Sequence, residues 1–332
     1  MSTPGKIAVL GSNSFSGASF VAYCLGRGAE VIGMSRSEEP HPAFLPYRWG
    51  KGQENFRFHP YDLNHHLDEI MAAIEGERVT HVVNFAAQSM VGESWKTPEH
   101  WFQTNVVSTV KLHDRLRRYD RLERYVHVTT PEVYGSTSGS IDETTPFNPS
   151  TPYAVSRAAA DMSLKTFFEA YQFPVVFTRA ANVYGPGQPL YRIIPRTMFF
   201  LREGRKLGLQ GGGLSRRSFI HIDDVSDATW RIMTDGKPGE TYHISTDEVV
   251  SIRALVEDIC ARMGADFDSS VDITPDRLGK DSLYALDSAK LRATLGWTDR
   301  IRLESGLGQC IDWIDRFLPD LRRQPSDYIH KP

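Results

Sequence analysis

Apolar residues in the first half of the chain gather in short runs, KIAVLG, EVIGMS, FRFHPYD, HVVNFAA, YVHVTT and VVFTRAANVYG, separated by stretches with helical character. That rhythm predicts a parallel sheet with crossover helices. HVVNFAA and YVHVTT are close to continuously apolar rather than alternating, which is the pattern of strands buried on both faces. Helices are therefore expected on both sides of a doubly wound α/β sheet. From about residue 185 the pattern loosens into Gly-rich and Arg-rich segments, GPGQ, LQGGGLSRRSF and DRLGKDS, between shorter helices. The expected organisation is a sheet domain over 1–185, to which later segments return, and a smaller C-terminal α/β lobe over 186–332. LRRQPSDYIHKP reads as a surface terminus.

At 332 residues the chain exceeds what one hydrophobic core usually supports, in keeping with a large domain and an appended lobe. A formal charge of −3, with 40% hydrophobic and 24% charged residues, provides no field that would recruit nucleic acid or an anionic membrane. MSTPGKIAVLGSNS lacks the charged and apolar regions of a signal peptide, and no apolar run is long enough to span a bilayer, so a cytoplasmic protein is expected. Cys24, Cys260 and Cys310 are odd in number and widely spaced, with no paired Cys/His pattern. They read as buried thiols, and no metal site is expected.

The first apolar run leads straight into GSNSFSGASFVAYCL, so Gly11 and Gly17 flank a strand-to-helix turn with Ser14 where a middle glycine would stand. This is the layout of a dinucleotide-binding turn. A small residue at 14 lets a pyrophosphate approach the helix N-terminus, where amides and dipole favour negative charge, and Phe15 is placed to pack beneath the turn. After the second strand an NAD site usually presents an acid to the adenosine ribose, whereas this chain reads MSRSEEP. Arg36, with Ser35 and Ser37, suits the 2′-phosphate of NADP, although Glu38 or Glu39 could still reach the ribose hydroxyls. NADP is favoured over NAD. Asp62 and Leu63 after the third strand would border the adenine, and Ala86 and Ala87 after the fourth would let the cofactor lie close.

TPYAVSR opens a helix by local rules, Thr151 as cap and Pro152 at the first helical position, and it places Tyr153 and Arg157 on one face.

These stretches, with NFAAQSMVGESWKTPEHWFQTNVVST, HVTTPEVYGS, RAANVYGPGQ, RRSFIHIDDV and DRLGKDSLYALDSAKLRATLGW, give the chain its resemblance to the extended short-chain dehydrogenases/reductases acting on nucleotide sugars. It most resembles the sugar 4,6-dehydratases, over nearly its whole length. The resemblance implies a Rossmann-like domain with an NAD(P) cofactor that is recycled rather than consumed. It also implies a nucleotide-diphosphate sugar as substrate, and a homodimer built on the helix over 101–116 and the helix that starts at Tyr153. The related outcomes of this fold, 4-epimerisation and sugar-acid decarboxylation, remain open, as does a cofactor-binding protein that has lost catalysis.

By the same resemblance Tyr153 exchanges a proton with the sugar's 4-hydroxyl, a task that requires a phenol more acidic than its ordinary value near 10. The family places a lysine four residues on; here that position is Arg157, which keeps charge and donors but cannot relay a proton. TTPEVYG resembles the family's Thr-Asp-Glu-Val-Tyr-Gly with Pro131 in place of the acid, leaving Thr130 and Glu132. Glu132 would remove the carbon-5 proton and, once protonated, help the 6-hydroxyl depart. Tyr134 reads as a packing or cofactor-facing residue. For the substrate, Arg217 and Arg277 resemble a diphosphate clamp and Asn182 a diphosphate or sugar contact, with Gln88, Ser89 and Ser94 as further sugar contacts.

Overall fold

The computed structural model of the chain describes residues 4–137, 139–275 and 285–331. Seven strands form one sheet: β1 (Ile7–Leu10), β2 (Val31–Met34), β3 (Phe56–His59), β4 (His81–Asn84), β5 (Arg124–Val128), β6 (Val175–Ala180) and β7 (Thr241–Ile244). All pairings are parallel, in the order β7-β6-β5-β4-β1-β2-β3. The first six coincide with the apolar runs, while β7 comes from far along the chain. The order reverses between β1 and β4, and in open sheets of this kind ligands bind at the strand C-termini beside that reversal.

Helices cover both faces. Helix α1 (Phe15–Gly26) packs on α7 (Ile222–Asp235), and α2 (Leu67–Gly76), α4 (Thr109–Leu116) and α5 (Pro152–Tyr171) lie on the other side. Their apolar residues form two clusters, one per face, that sandwich the sheet. A third cluster gathers α6 (Ile193–Arg202) with the helix Leu303–Leu321. The helix over 101–116 is interrupted: α3 (Pro98–Phe102) passes through a wider π-helical turn, Gln103–Ser108, before α4. Cys24, Cys260 and Cys310 are buried and unpaired by disulfides, as core thiols should be.

Candidate active site

Gly11 ends β1 with φ +77°, and a Cβ there would stand 2.7 Å from the backbone nitrogen of Ala86. At Gly17 a Cβ would collide with the carbonyl oxygen of Gly11. Both positions therefore exclude side chains: the first lets the turn lie against the end of β4, and the second lets α1 start directly above β1. Ser14 caps α1. Its hydroxyl donates to the Gly11 carbonyl at 2.7 Å and accepts from the Gly17 amide at 3.1 Å, so it does more than stay small. Phe15 packs half-buried against the cluster beneath.

A cavity of about 580 Å³ opens at the ends of β1, β2 and β4, lined by Gly11, Ser14, Arg36, Asp62, Leu63, Ala86, Ala87 and Gln88 among others. Glycine cradle, helix N-terminus and cavity together fit a dinucleotide. Asp62 accepts from the Asn64 amide at 2.6 Å and so shapes the turn after β3. Of the two acids considered for the ribose, Glu39 is engaged elsewhere, at 2.7 Å from Arg48 and 2.8 Å from the Tyr47 hydroxyl. Glu38 lines the cavity.

Helix α5 begins as its sequence predicts, with Thr151 accepting from the Ala154 amide at 3.1 Å and Pro152 in the first turn. Tyr153 and Arg157 are both buried. Arg157 donates to the carbonyl of Val128 at the end of β5, and its Nε has no partner. Burial pushes the Tyr153 phenol up from its ordinary value; the Arg157 charge and then a hydrogen bond with Thr130 pull it down, while Glu132 raises it and Arg192 lowers it. Thr130 also accepts from the Glu132 amide at 3.2 Å, capping the short turn Pro131–Tyr134. Pro131 fills the first position of that turn, where a missing N–H costs nothing. Tyr134 is buried and bonds to Arg179 and, at 2.7 Å, to His243, a packing role.

The sugar-contact candidates fare differently. Gln88 is buried, with its amide nitrogen on the Lys331 carbonyl at 2.7 Å and its backbone held by Asn105 at 2.8 and 3.0 Å. Ser89 is exposed, whereas Ser94 is fully buried and bonded to the Val91 carbonyl at 2.6 Å, within its own turn. Asn182 opens a short strand that pairs with Phe219–His221, its amide donating to the Ser218 carbonyl at 3.1 Å, while Arg217, the residue before Ser218, lies on a strand that pairs with Val250–Ser251. Arg277 lies outside the described residues. Three participants were not foreseen. Asn105 ties the loop after β4 to α5 through Ser156 at 2.9 Å, Arg192 faces Tyr153, and the segment 324–331 lines the cavity. Asn105 lies within the stretch NFAAQSMVGESWKTPEHWFQTNVVST, but its role, like that of Arg192, shows only in the tertiary contact.

A doubly wound sheet, a dinucleotide cleft at its reversal point and a buried tyrosine–cation pair at the start of α5 are the features of an NAD(P)-dependent enzyme of the short-chain dehydrogenase/reductase type. The family model described as GDP-mannose 4,6 dehydratase matches residues 9–310. A dTDP-glucose 4,6-dehydratase of Mycolicibacterium smegmatis is 37% identical over 250 residues, 73% of this chain and 75% of that protein. In structure the chain is similar to DesIV, a dTDP-glucose 4,6-dehydratase of Streptomyces venezuelae crystallised with NAD, with TM-score 0.87, 31% identity, and coverage of 94% of this chain and 97% of that one. It is also similar to MoeE5 in complex with UDP-glucose and NAD, with TM-score 0.83, 26% identity, and coverage of 95% and 100%. The chain belongs to the GDP-mannose 4,6-dehydratase family and is an NAD(P)-dependent nucleotide-sugar 4,6-dehydratase.

Proposed function

We propose that Tyr153, Arg157, Thr130 and Glu132 carry the reaction, and that Gly11, Ser14, Gly17 and the walls of the adjoining cavity hold the dinucleotide. Bound there, the dinucleotide would supply the hydride acceptor for carbon 4 of the sugar and the hydride donor for carbon 6. Tyr153 accepts the 4-hydroxyl proton, made more acidic by Arg157 and Thr130 against the cost of its burial. Glu132 removes the carbon-5 proton of the ketone and delivers it to the departing 6-hydroxyl, since Pro131 can supply neither step, and carbon 5 regains a proton from solvent through Glu132 as hydride reaches carbon 6. The observation that carries this reading is the convergence on Tyr153 of Thr130 and Glu132, from the end of β5, with Arg157 from α5. Asn182, Arg217 and Arg277 are the proposed contacts for the substrate's phosphates. The names of the relatives support dTDP-glucose as the first of a panel of nucleotide sugars to try.

The test is Glu132→Gln, followed by product mass and by absorbance of the reduced dinucleotide. The variant should still reduce dinucleotide when sugar is added, while dehydrated product slows at least ~10²-fold. Tyr153→Phe should abolish both signals. Dehydration near the parent rate in the Gln variant would assign the elimination to another residue.

NADP is the proposed preference, supported by Arg36 and Ser37 at the cavity wall and by the engagement of Glu39 with Arg48. A homodimer is proposed from exposed apolar residues on the surface of these helices: Phe102 and Val107, at 38% and 43% exposure, and Val155 and Met162 of α5, at 39% and 59%. Val155 and Met162 are two turns apart and so share a face. Among the described residues no helix is long and apolar enough to cross a membrane, and the ordinary soluble composition supports a cytoplasmic place for the enzyme.

A further inference from the structure

Beyond the helix Leu303–Leu321 the chain turns back, and residues 324–331 run across the mouth of the dinucleotide cavity without helix or strand. Tertiary contacts hold this segment at four points. Arg196 of α6 bonds the Asp327 carboxylate at 3.0 Å and the Ser326 carbonyl at 2.9 Å. Tyr328 meets Tyr191 edge-on, with ring centroids 5.3 Å apart. His330 stacks on Trp101 at 5.1 Å, with rings 9° from parallel, and its Nε2 lies 2.9 Å from His100 Nδ1. The carbonyl of Lys331 accepts from Gln88 at 2.7 Å and from Arg36 at 2.9 Å, while its ammonium group donates to the Ser37 hydroxyl at 3.3 Å.

That last contact spans the cleft. Arg36 and Ser37 follow β2, and Gln88 follows β4, so one backbone carbonyl joins the two strand ends that flank the β1 turn. Gly11 and Ala86 line the cavity on the sheet side; Pro325, Tyr328 and Lys331 line it from outside. The segment is also shallowly seated, with Ile329 63% exposed, and its anchors are aromatic and polar contacts rather than a buried apolar core. Such a segment lies at the low-stability end of the molecule and can lift without disturbing the sheet.

We propose that residues 324–331 form the outer wall of the dinucleotide site, that Lys331 is a cofactor-binding residue at its adenosine end, and that this strap must lift for the dinucleotide to exchange. The proposal rests on the assignment of the cavity to NAD(P). The advantage follows from the chemistry: a dinucleotide restored to its starting state at the end of each turnover has no need to leave, and a closed wall retains it.

The experiment follows dissociation of NADPH and NADH by fluorescence in stopped flow, with hydrogen exchange of 324–331 measured in the presence and absence of dinucleotide. Replacing both aromatic anchors, Tyr328→Ala with His330→Ala, should speed dissociation by roughly tenfold, as expected for two aromatic contacts. Asp315→Ala, which breaks an exposed ion pair with Arg202 away from the strap and the cavity, should change it little. Amides of the strap should exchange more slowly once dinucleotide is bound. An unchanged dissociation rate in the double variant, or strap exchange indifferent to dinucleotide, would overturn the proposal. A parent protein that takes up no dinucleotide would instead overturn the assignment of the cavity, and this proposal with it.

Discussion

Two arginines lie buried against α5 and differ in what faces them. Arg179, from β6, meets Asp161 of α5 at 2.8 Å and bonds the Tyr134 hydroxyl. Arg157, one turn into α5, donates to the Val128 carbonyl, and among the described residues no carboxylate pairs with it. Breaking a buried pair is costly because it leaves its partner charge uncompensated, so Arg179 and Asp161 belong to the structure. A buried cation without such a partner weakens the fold, and its field acts instead on Tyr153 and on His127, whose imidazole is held well below its ordinary value by burial first and by Arg157 next. The contrast separates a cation that holds the sheet to its helix from one that, in the proposed mechanism, serves the proton chemistry of Tyr153.

The comparison breaks most visibly in stability. Arg179→Met should cost about 3–5 kcal/mol in urea unfolding, because Asp161 is left buried without its arginine, with the Thr129 hydroxyl as its remaining donor at 3.0 Å, and adding Asp161→Asn should recover part of that loss. Arg157→Met should cost far less; equal losses in the two variants would erase the distinction. Arg36 sharpens the contrast as an exposed arginine, bonded to the Lys331 carbonyl, whose proposed role is in dinucleotide binding. Arg36→Ala should weaken NADP by roughly tenfold or more beyond any effect on NAD, the loss of a charge-assisted hydrogen bond to the 2′-phosphate. Equal effects on both dinucleotides would remove the case for the 2′-phosphate. The smallest effect on chemistry should come from the opposite face of α5, where Met162→Lys should yield a monomer by light scattering with the Tyr153 pH response intact. A parent protein already monomeric at micromolar concentration would refute the dimer.

Much of this was legible in the sequence wherever the determinants are local. Apolar runs marked β1 to β6, Thr151 and Pro152 marked the start of α5, and Gly11 and Gly17 marked the turn that no side chain can occupy. Strand β7, TYHI, was not picked out, because four residues half polar in character carry no periodic signal and are buried only by their neighbours. The π-helical turn Gln103–Ser108 leaves no mark in a helical pattern. LRRQPSDYIHKP looked like a surface terminus because its anchors, Trp101, Tyr191 and Arg196, are supplied from distant parts of the chain. Ser14 was read by size, and its capping bonds required the folded turn.

The claim that Arg157 acts as the cation tuning Tyr153 is tested most directly by the pH dependence of kcat/KM in the parent, Arg157→Lys and Arg157→Met. In the proposed mechanism the limb that rises with pH reports the free enzyme's Tyr153 losing its proton. Arg157 lowers that phenol's pKa, so removing the charge must raise it and move the limb to higher pH, whereas lysine, which retains the charge, should hold it near the parent position. A Met variant whose limb stays in place, or a Lys variant displaced as far as the Met one, would contradict the account.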